Sequence, residues 1–260
     1  MSFDVSADLV DQVVRIARRA GETILEVYET DFAVDRKSDA SPVTEADRRA
    51  EAVILAGLQQ EIDSTFPIIA EEEVAAGRIP AISTAPFWLV DPLDGTKQFV
   101  SKQGEFTVNI ALIEDGRPLL GVVHAPAIGQ TYWGSPHGAF AVTDGGPARA
   151  IHCRPMPGKG IVAVASRSHR TPATDEYLAK FDVAEITSSG SSIKFCTVAS
   201  GRADLYPRMG RTMEWDTAAG HAVVRFAGGS VTDIDGNDLK YGKPGFENPH
   251  FVVRGAPPSP

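Results

Sequence analysis

Cysteine is almost missing from this 260-residue chain: only Cys153 and Cys196 occur, and their spacing matches no zinc or redox motif. Two thiols make no disulfide framework in a chain of this length, so a reducing cytoplasm is the expected setting. Long apolar runs are missing too; none approaches the roughly 20 residues of a membrane-spanning helix. The first residues carry Asp4 and Asp8 instead of a basic stretch followed by an apolar block, so no signal peptide is expected. Basic residues are outnumbered, 25 Lys and Arg against 34 Asp and Glu, for a formal charge of -9. A nucleic acid polymer needs a basic face and is excluded as a partner. A small phosphorylated substrate is not excluded, provided that metal ions and a few local cations offset the repulsion. The six histidines are scattered, which leaves no His and Cys cluster for zinc; single ones such as His124 and His152 read as structural or surface groups. No Gly-x-Ser-x-Gly elbow occurs, so serine nucleophile chemistry is not expected. There is no internal repeat, and the tail Gly255 to Pro260 lacks a core-forming pattern and is expected to be disordered.

What is present is organised around Phe87 to Thr96, Phe-Trp-Leu-Val-Asp-Pro-Leu-Asp-Gly-Thr. A short apolar run of this kind reads as a buried strand, and it stops at a turn that carries Asp91 and Asp94. Ligands gather at the carboxyl ends of strands in open α/β sheets, and two carboxylates there suit cations. Gly95 and Thr96 add backbone N–H groups and a hydroxyl, the donors that a phosphate oxygen needs if a helical turn starts there. The plain alternative is a turn with no further duty, since Asp, Pro and Gly all favour turns and Asp94 could cap a helix.

Upstream, Leu9, Val13, Ile16, Ala20, Ile24 and Val27 recur at spacings of three and four and predict a helix over Asp8 to Glu29 with one buried face. A polar loop follows from Asp31 to Pro42. Thr44 with Asp47 three residues on reads as a capping box, heading a helix whose buried stripe is Ala50, Val53, Ile54 and Leu58. Asp47 is accounted for by that cap alone. Phe66 to Ala70 is a short strand ending in Glu71-Glu72-Glu73, either solvated surface or a second acidic strand end. Glu105 to Ile113 and Leu119 to His124 predict a hairpin turning at Asp115-Gly116, and Thr131 to Trp133 and Ala139 to Val142 continue it.

The small-residue segment Thr143 to Lys159 places a boundary between two halves, 1–145 and 146–260. In the second half, Ile161 to Ala165, Glu185 to Thr187 and Ala203 to Tyr206 read as strands, and Thr171-Pro172 starts a helix. Ser188 to Ser192 is a small-residue loop feeding a helix from Ile193 to Ser200 that Gly201 ends. Trp215-Asp216-Thr217-Ala218-Ala219-Gly220 opens a further helix that closes at Gly228-Gly229, and its small residues suit tight packing on a sheet. Asp216 at the helix start is by default an N-cap.

Glu71, Asp91, Asp94 and Asp216 share one property: each sits where an element begins or ends. Oxygen-only ligands select hard cations, and these carboxylates with the Leu93 carbonyl suit Mg²⁺, which takes octahedral oxygen geometry and keeps waters. A pair of such ions could hold both the attacking and the leaving oxygen of an in-line phosphoryl displacement.

Asp91-Pro92-Leu93-Asp94-Gly95-Thr96, the acids at Glu71, and Trp215 to Gly220 together resemble the three motifs of the inositol monophosphatase superfamily of Mg²⁺-dependent, lithium-sensitive phosphatases. The likeness spans nearly the whole chain in order and spacing. Lys37 to Asp47, Gly104 to Ile113, Ser166 to His169 and Gly190 to Cys196 are similar to the bacterial bisphosphate nucleotidase branch of that superfamily. One departure stands before the acids, where Ala70 replaces the usual Gly.

The resemblance implies an α+β fold, the layered αβαβα sandwich of sugar phosphatases, with an antiparallel sheet first and a smaller mixed sheet second. It implies that Glu71, Asp91 and the Leu93 carbonyl hold one Mg²⁺ and that Asp91, Asp94 and Asp216 hold a second, with a third near Glu71 and Asp47. Asp47, Thr96 and Glu71 would be catalytic, the Thr96 hydroxyl being oriented by Asp47 to position the attacking water. Glu71, Leu93, Asp94, Gly95, Thr96 and Asp216 would meet the phosphate, and His169, Ser191, Lys194 and Arg208 the rest of a nucleotide. Arg208 matters most for specificity, because arginine grips phosphate in a bidentate way; relatives acting on inositol phosphates look acidic there. The expected reaction is removal of the 3'-phosphate of adenosine 3',5'-bisphosphate, with 3'-phosphoadenylyl sulfate as a second substrate and with association at the inner face of a membrane left open. Rival expectations are an inositol-phosphate or histidinol-phosphate phosphatase and, from another class, a nucleotide or metal sensor without catalysis.

Overall fold

A computed structural model describes residues 3–36, 42–63, 65–166 and 170–258. Helix α1 (Ala7–Tyr28) starts at Ser6, whose Oγ accepts from Leu9 N at 3.1 Å, and buries all six residues of the expected stripe. Strands β1 (Val34–Arg36) and β2 (Pro42–Thr44) pair antiparallel, so the stretch read as a polar loop carries short strands at both ends. Helix α2 (Glu45–Gly57) begins with the expected box: Thr44 Oγ1 accepts from Ala46 N, and Asp47 accepts from Thr44 N.

A seven-stranded sheet follows, in the order β3 (Ile68–Ala70), β4 (Phe87–Asp94), β5 (Thr107–Glu114), β6 (Arg117–Ala125), β7 (Gln130–Ser135), β8 (Gly138–Thr143) and β9 (Arg149–Ala150). Its first pair is parallel and the others antiparallel. Asp115 and Gly116 turn the β5–β6 hairpin with φ of 50° and 71°, the backbone that a tight Asp-Gly hairpin requires. Short helices α3 (Glu71–Ala75) and α4 (Thr96–Val100) leave the ends of β3 and β4.

In strands β4 and β5 the side chains sort by period two. Trp88, Val90, Ile110 and Leu112 pack with α1 and α2, whereas Leu89, Ala111 and Ile113 belong to a second core on the other face. Burial on both faces is why residues 87–90 and 110–113 read as unbroken apolar runs.

The second face is covered by α6 (Ile193–Ala199) and α7 (Glu214–Phe226). Beyond them lies a five-stranded mixed sheet of β10 (Ile161–Ser166), β11 (Val183–Ser189), β12 (Leu205–Arg208), β13 (Ser230–Asp233) and β14 (Phe251–Arg254), in the order β11-β10-β12-β14-β13. Helix α5 (Pro172–Leu178) closes its outer face over Ile161, Ala163, Leu205 and Val252. The layers are therefore α, β, α, β, α, as the resemblance implied.

Three expectations need correction. Strand β11 runs on to Ser189, so the small-residue loop is shorter than expected because Ser188 and Ser189 pair with β10. Strands β13 and β14 had no counterpart in the sequence reading. The tail is ordered at its start: Gly255 donates to Asp204 O, and Ala256 exchanges hydrogen bonds with residues 154 and 156.

Helix α7 lies against β6 and β7 at backbone contact. A Cβ on Gly121 would stand 2.5 Å from Ala219 O, and one on Gly134 2.5 Å from Ala222 O. Gly121→Val is therefore expected to cost about 3 kcal/mol, read as a Tm lowered by roughly 5–10 °C. Gly158→Ala, with nothing within 4 Å of the added carbon, is the neutral control.

Candidate active site

The parallel pairing of β3 with β4 sets Ala70 beside Val90, so Glu71, just past the end of β3, and Asp91 come next on adjacent strands; the strand runs on beyond Asp91, and its expected end lies at Asp94 instead. The two carboxyl groups lie within hydrogen-bonding reach of each other. Beyond Asp91 the register against β5 slips: Asp91 faces Asn109, but Asp94 faces Thr107, three residues on one strand against two on the other. This bulge re-aims Asp94. Asp91, 1 % exposed, accepts from Leu93 N at 3.0 Å and lies beneath the site, whereas Asp94 reaches the cavity above it.

Asp216 comes from the first turn of α7, but it is not the expected N-cap: the helix starts earlier, with Met213 as its N-cap, and Asp216 is its third residue, its Oδ2 reaching back to accept from Met213 N at 2.9 Å. Burial, followed by the charges of Glu71, Asp94 and Asp216, drives the Asp91 carboxyl far above the usual range. Burial, then Asp94 and Glu71, does the same to Asp216. Asp94 is raised by burial, while Lys194 and the Ser192 hydroxyl pull it back. Four acids from three elements thus share one electrostatic neighbourhood.

Among the described residues no three His, Cys, Asp or Glu side chains form a ready-made ligand group for an ion. Mg²⁺ still fits these acids, because it keeps several waters and a carboxylate that it does not touch can reach it through one of them. The donor set is all oxygen, its charges repel without a cation, and Asn109 Oδ1, opposite Asp91, is a buried acceptor with no described donor.

Asp47 does two things. Its Oδ2 accepts from Thr44 N and Oγ1 at 2.8 and 2.7 Å, and its Oδ1 accepts from Thr96 Oγ1 at 3.3 Å. Thr96 Oγ1 also lies 3.2 Å from the Leu93 carbonyl. Gly95 adopts φ 93°, and a Cβ there would meet Glu105 O at 3.1 Å, so glycine is required both by the backbone and by the close approach.

A cavity of about 520 Å³ opens over these groups. Glu71, Asp94 and Asp216 line it together with Ser191, Lys194 and Arg208. Burial pushes the Lys194 ammonium down to about 8 against the pull of Asp94; its Nζ donates to Ser191 O and stands 5.4 Å over the Tyr206 ring. Arg208 Nη2 donates to Arg211 O at 3.3 Å, and Arg208 Nε is buried with no described partner. His169 lies outside the described residues. Arg211, also on the cavity wall, escaped the sequence reading because nothing in its local pattern separates it from any surface arginine.

Glu51 escaped it as well. It is 4 % exposed on α2, and its Oε2 accepts from Glu72 N at 2.8 Å, directly after Glu71. Burial, with repulsion from Glu72, Glu73 and Glu71, lifts its carboxyl to about 7. A raised folded pKa means stability that is full below the unfolded value near 4.5 and is lost as pH rises through about 7. Glu51→Gln keeps the acceptor and removes the charge. In chelator-treated protein it is expected to stabilise at pH 8 by about 3 kcal/mol and to leave stability at pH 4 unchanged, as denaturant titrations at the two pH values would read.

Comparison with known proteins agrees with this geometry. The chain is 44 % identical over 248 residues to the 3'(2'),5'-bisphosphate nucleotidase CysQ of Salmonella typhimurium and equally to that of Escherichia coli K12, covering 94 % of this chain and 99 % of each relative. The crystal structure of CysQ from Bacteroides thetaiotaomicron, described as a bacterial member of the inositol monophosphatase family, superposes with a TM-score of 0.79 at 38 % identity, over 95 % of this chain and 97 % of that one. A Thermotoga maritima IMPase gives 0.77 at 26 % identity, over 95 % and 92 %. Residues 7–254 match the sequence model of the inositol monophosphatase family, and with the acids, the motif threonine and the five layers in place, this chain belongs to that family.

Proposed function

We propose that this protein is a Mg²⁺-dependent 3'(2'),5'-bisphosphate nucleotidase that hydrolyses adenosine 3',5'-bisphosphate to AMP and phosphate, with 3'-phosphoadenylyl sulfate as a second substrate. The observation that carries this reading is the mixed charge lining the 520 Å³ cavity, which brings the acids Glu71, Asp94 and Asp216 together with Lys194, Arg208 and Arg211. A substrate with two phosphates matches both sets of groups, one phosphate at the acids through cations and the other on the basic groups. The CysQ relatives support the same substrate class by their names.

Glu71, Asp91 and the Leu93 carbonyl would hold one Mg²⁺, Asp91, Asp94 and Asp216 a second, and Glu71 with Asp47 a third. When bound, these ions neutralise phosphoryl charge and make water a better nucleophile. The rest of the chemistry belongs to the chain. Asp47 accepts the Thr96 hydroxyl proton, so the lone pairs of Thr96 Oγ1 are left to orient the attacking water. Glu71, which lines the same cavity, takes the proton that the water gives up as the bond from phosphorus to the 3'-oxygen breaks, and water in the open cavity gives the departing 3'-oxygen of AMP its proton. The first amides of α4, at Gly95 and Thr96, have no intrahelical acceptors and bind phosphate oxygens. Ser191, Lys194, Arg208 and His169 hold the nucleotide.

A division into halves at residues 145 and 146, a cytoplasmic setting and inhibition by lithium are parts of the same reading. The two thiols, both free and buried, suit a reducing compartment. No helix among the described residues is long and apolar enough to cross a membrane. Phosphate release from adenosine 3',5'-bisphosphate, inositol 1-phosphate and histidinol phosphate, each with and without Mg²⁺, tests the assignment. The bisphosphate is expected to lead by at least ~100-fold in kcat/KM, about 3 kcal/mol of differential binding; preference for inositol 1-phosphate overturns it.

A further inference from the structure

Strand β5 and the residue pair before it present three polar side chains at period two toward the loop that leads into α6. Glu105 Oε2 accepts from Gly190 N at 2.8 Å, Thr107 Oγ1 donates to Ser191 Oγ at 3.2 Å, and Asn109 Nδ2 donates to Ser192 Oγ at 2.9 Å. Three alternate residues on one strand clasp three consecutive residues of the loop. The fit leaves no space, since a Cβ on Gly190 would stand 2.6 Å from Glu105 O.

The third link continues. Ser192 Oγ, in a residue 1 % exposed, lies 2.9 Å from Asp94 Oδ2 and 2.8 Å from the Asp216 carbonyl oxygen. Both are acceptors, so the single hydroxyl proton must point at them, and the lone pairs of Ser192 need a donor from elsewhere. The Asn109 amide is that donor. Its NH₂ can only give, which fixes the direction of the chain from Asn109 to Ser192 to the acids. Asn109 is itself 1 % exposed, so neither link is loosened by solvent.

We infer that Ser192, oriented by Asn109, is a positioning residue that joins Asp94 of the seven-stranded sheet to the first turn of α7 and so holds Asp94 and Asp216 at the separation at which they share a divalent cation. The inference rests on the metal reading proposed above. Its physical content is preorganisation: groups that hydrogen-bond a ligating carboxylate typically change metal affinity 10- to 100-fold when removed.

The test is binding of Mn²⁺, as a spectroscopic substitute for Mg²⁺, to the full chain stripped of metal, with free Mn²⁺ read by electron paramagnetic resonance. Ser192→Ala is expected to weaken Mn²⁺ affinity about 10- to 100-fold, and Ser192→Thr, which restores the hydroxyl, to return it to within about 3-fold of the unaltered protein. Asn109→Ala should weaken binding by a smaller factor, and adding it to Ser192→Ala should cost nothing further, because its effect passes through the hydroxyl. A merely structural role would lower Tm and leave Mn²⁺ affinity untouched. Wild-type affinity in Ser192→Ala, together with loss of binding in Asp94→Ala, overturns this inference alone. Failure of the unaltered protein to bind Mn²⁺ overturns the metal reading and this inference with it. Should Ser192→Ala not fold, wild-type affinity in Asn109→Ala overturns the relay.

Discussion

Asp91→Asn is expected to lower kcat by at least ~10³-fold, about 4 kcal/mol of transition-state charge stabilisation, while making the metal-free protein more stable. The two effects have one cause. Asp91 is 1 % exposed and surrounded by Glu71, Asp94 and Asp216, so its carboxylate is costly to bury and is repelled by every neighbour. An amide at the same place still accepts from Leu93 N and removes both penalties.

The sign of the pH dependence follows. The folded carboxyl titrates well above its unfolded value, so stability is full below about pH 4 and is lost as pH rises. In chelator the Tm gain of Asp91→Asn is expected to be near zero at pH 4 and to reach roughly 5 °C at pH 8. Saturating Mg²⁺ should reverse the order, because a cation that binds only the folded wild type stabilises it by mass action. Scanning calorimetry with and without Mg²⁺, beside single-turnover rates, separates these outcomes. Equal Tm values in all four conditions would sink the idea that the site is charged for cations.

Arg208→Glu is expected to reduce kcat/KM for the bisphosphate by about 10²- to 10³-fold, the loss of a charge-assisted phosphate contact plus new repulsion. Turnover of a nucleoside 3'-monophosphate should fall by a much smaller factor, since there only the pull of the Arg208 charge on Asp216 is lost. The structure makes this a fair test of specificity. Among the described residues the Arg208 side chain makes one hydrogen bond, from Nη2 to Arg211 O, and its buried Nε has no described partner, so little of the described fold depends on its charge. Equal losses on both substrates would refute a role in recognising the second phosphate.

Much of the molecule was legible because its signals are local. The stripe from Leu9 to Val27, the Thr44 box and the Asp115-Gly116 hairpin each depend on residues within a few positions of one another, and each formed as read. Strands β13 and β14 were not legible: four-residue runs such as Phe251–Arg254 gain their order from neighbours on both sides, not from their own pattern. Asp47 shows the limit within a single residue. Its cap could be read along the chain, but the bond to Thr96 joins α2 to the start of α4 and has no local trace beyond the motif likeness.

The clasp on the α6 loop left one faint sign. Glu105, Thr107 and Asn109 alternate with apolar residues in a strand otherwise buried on both faces, where three polar residues on one side must find partners. Their partners lie more than 80 residues away, at Gly190 to Ser192, and no spacing rule reaches that far.

Read alone, the chain determined its chemistry: oxygen ligands without a zinc cluster, acids at or near the ends of elements, and a donor-rich turn at Gly95 and Thr96. Only the tertiary structure decided that these acids meet. Parallel pairing sets Ala70 beside Val90 and so Glu71 next to Asp91, and Gly121 and Gly134 let α7 lie close enough on the sheet to bring Asp216 over Asp94. The reason is physical: carboxylates repel, so nothing in their own interaction draws them together. The burial of apolar side chains on both faces of the large sheet supplies the energy that holds them there.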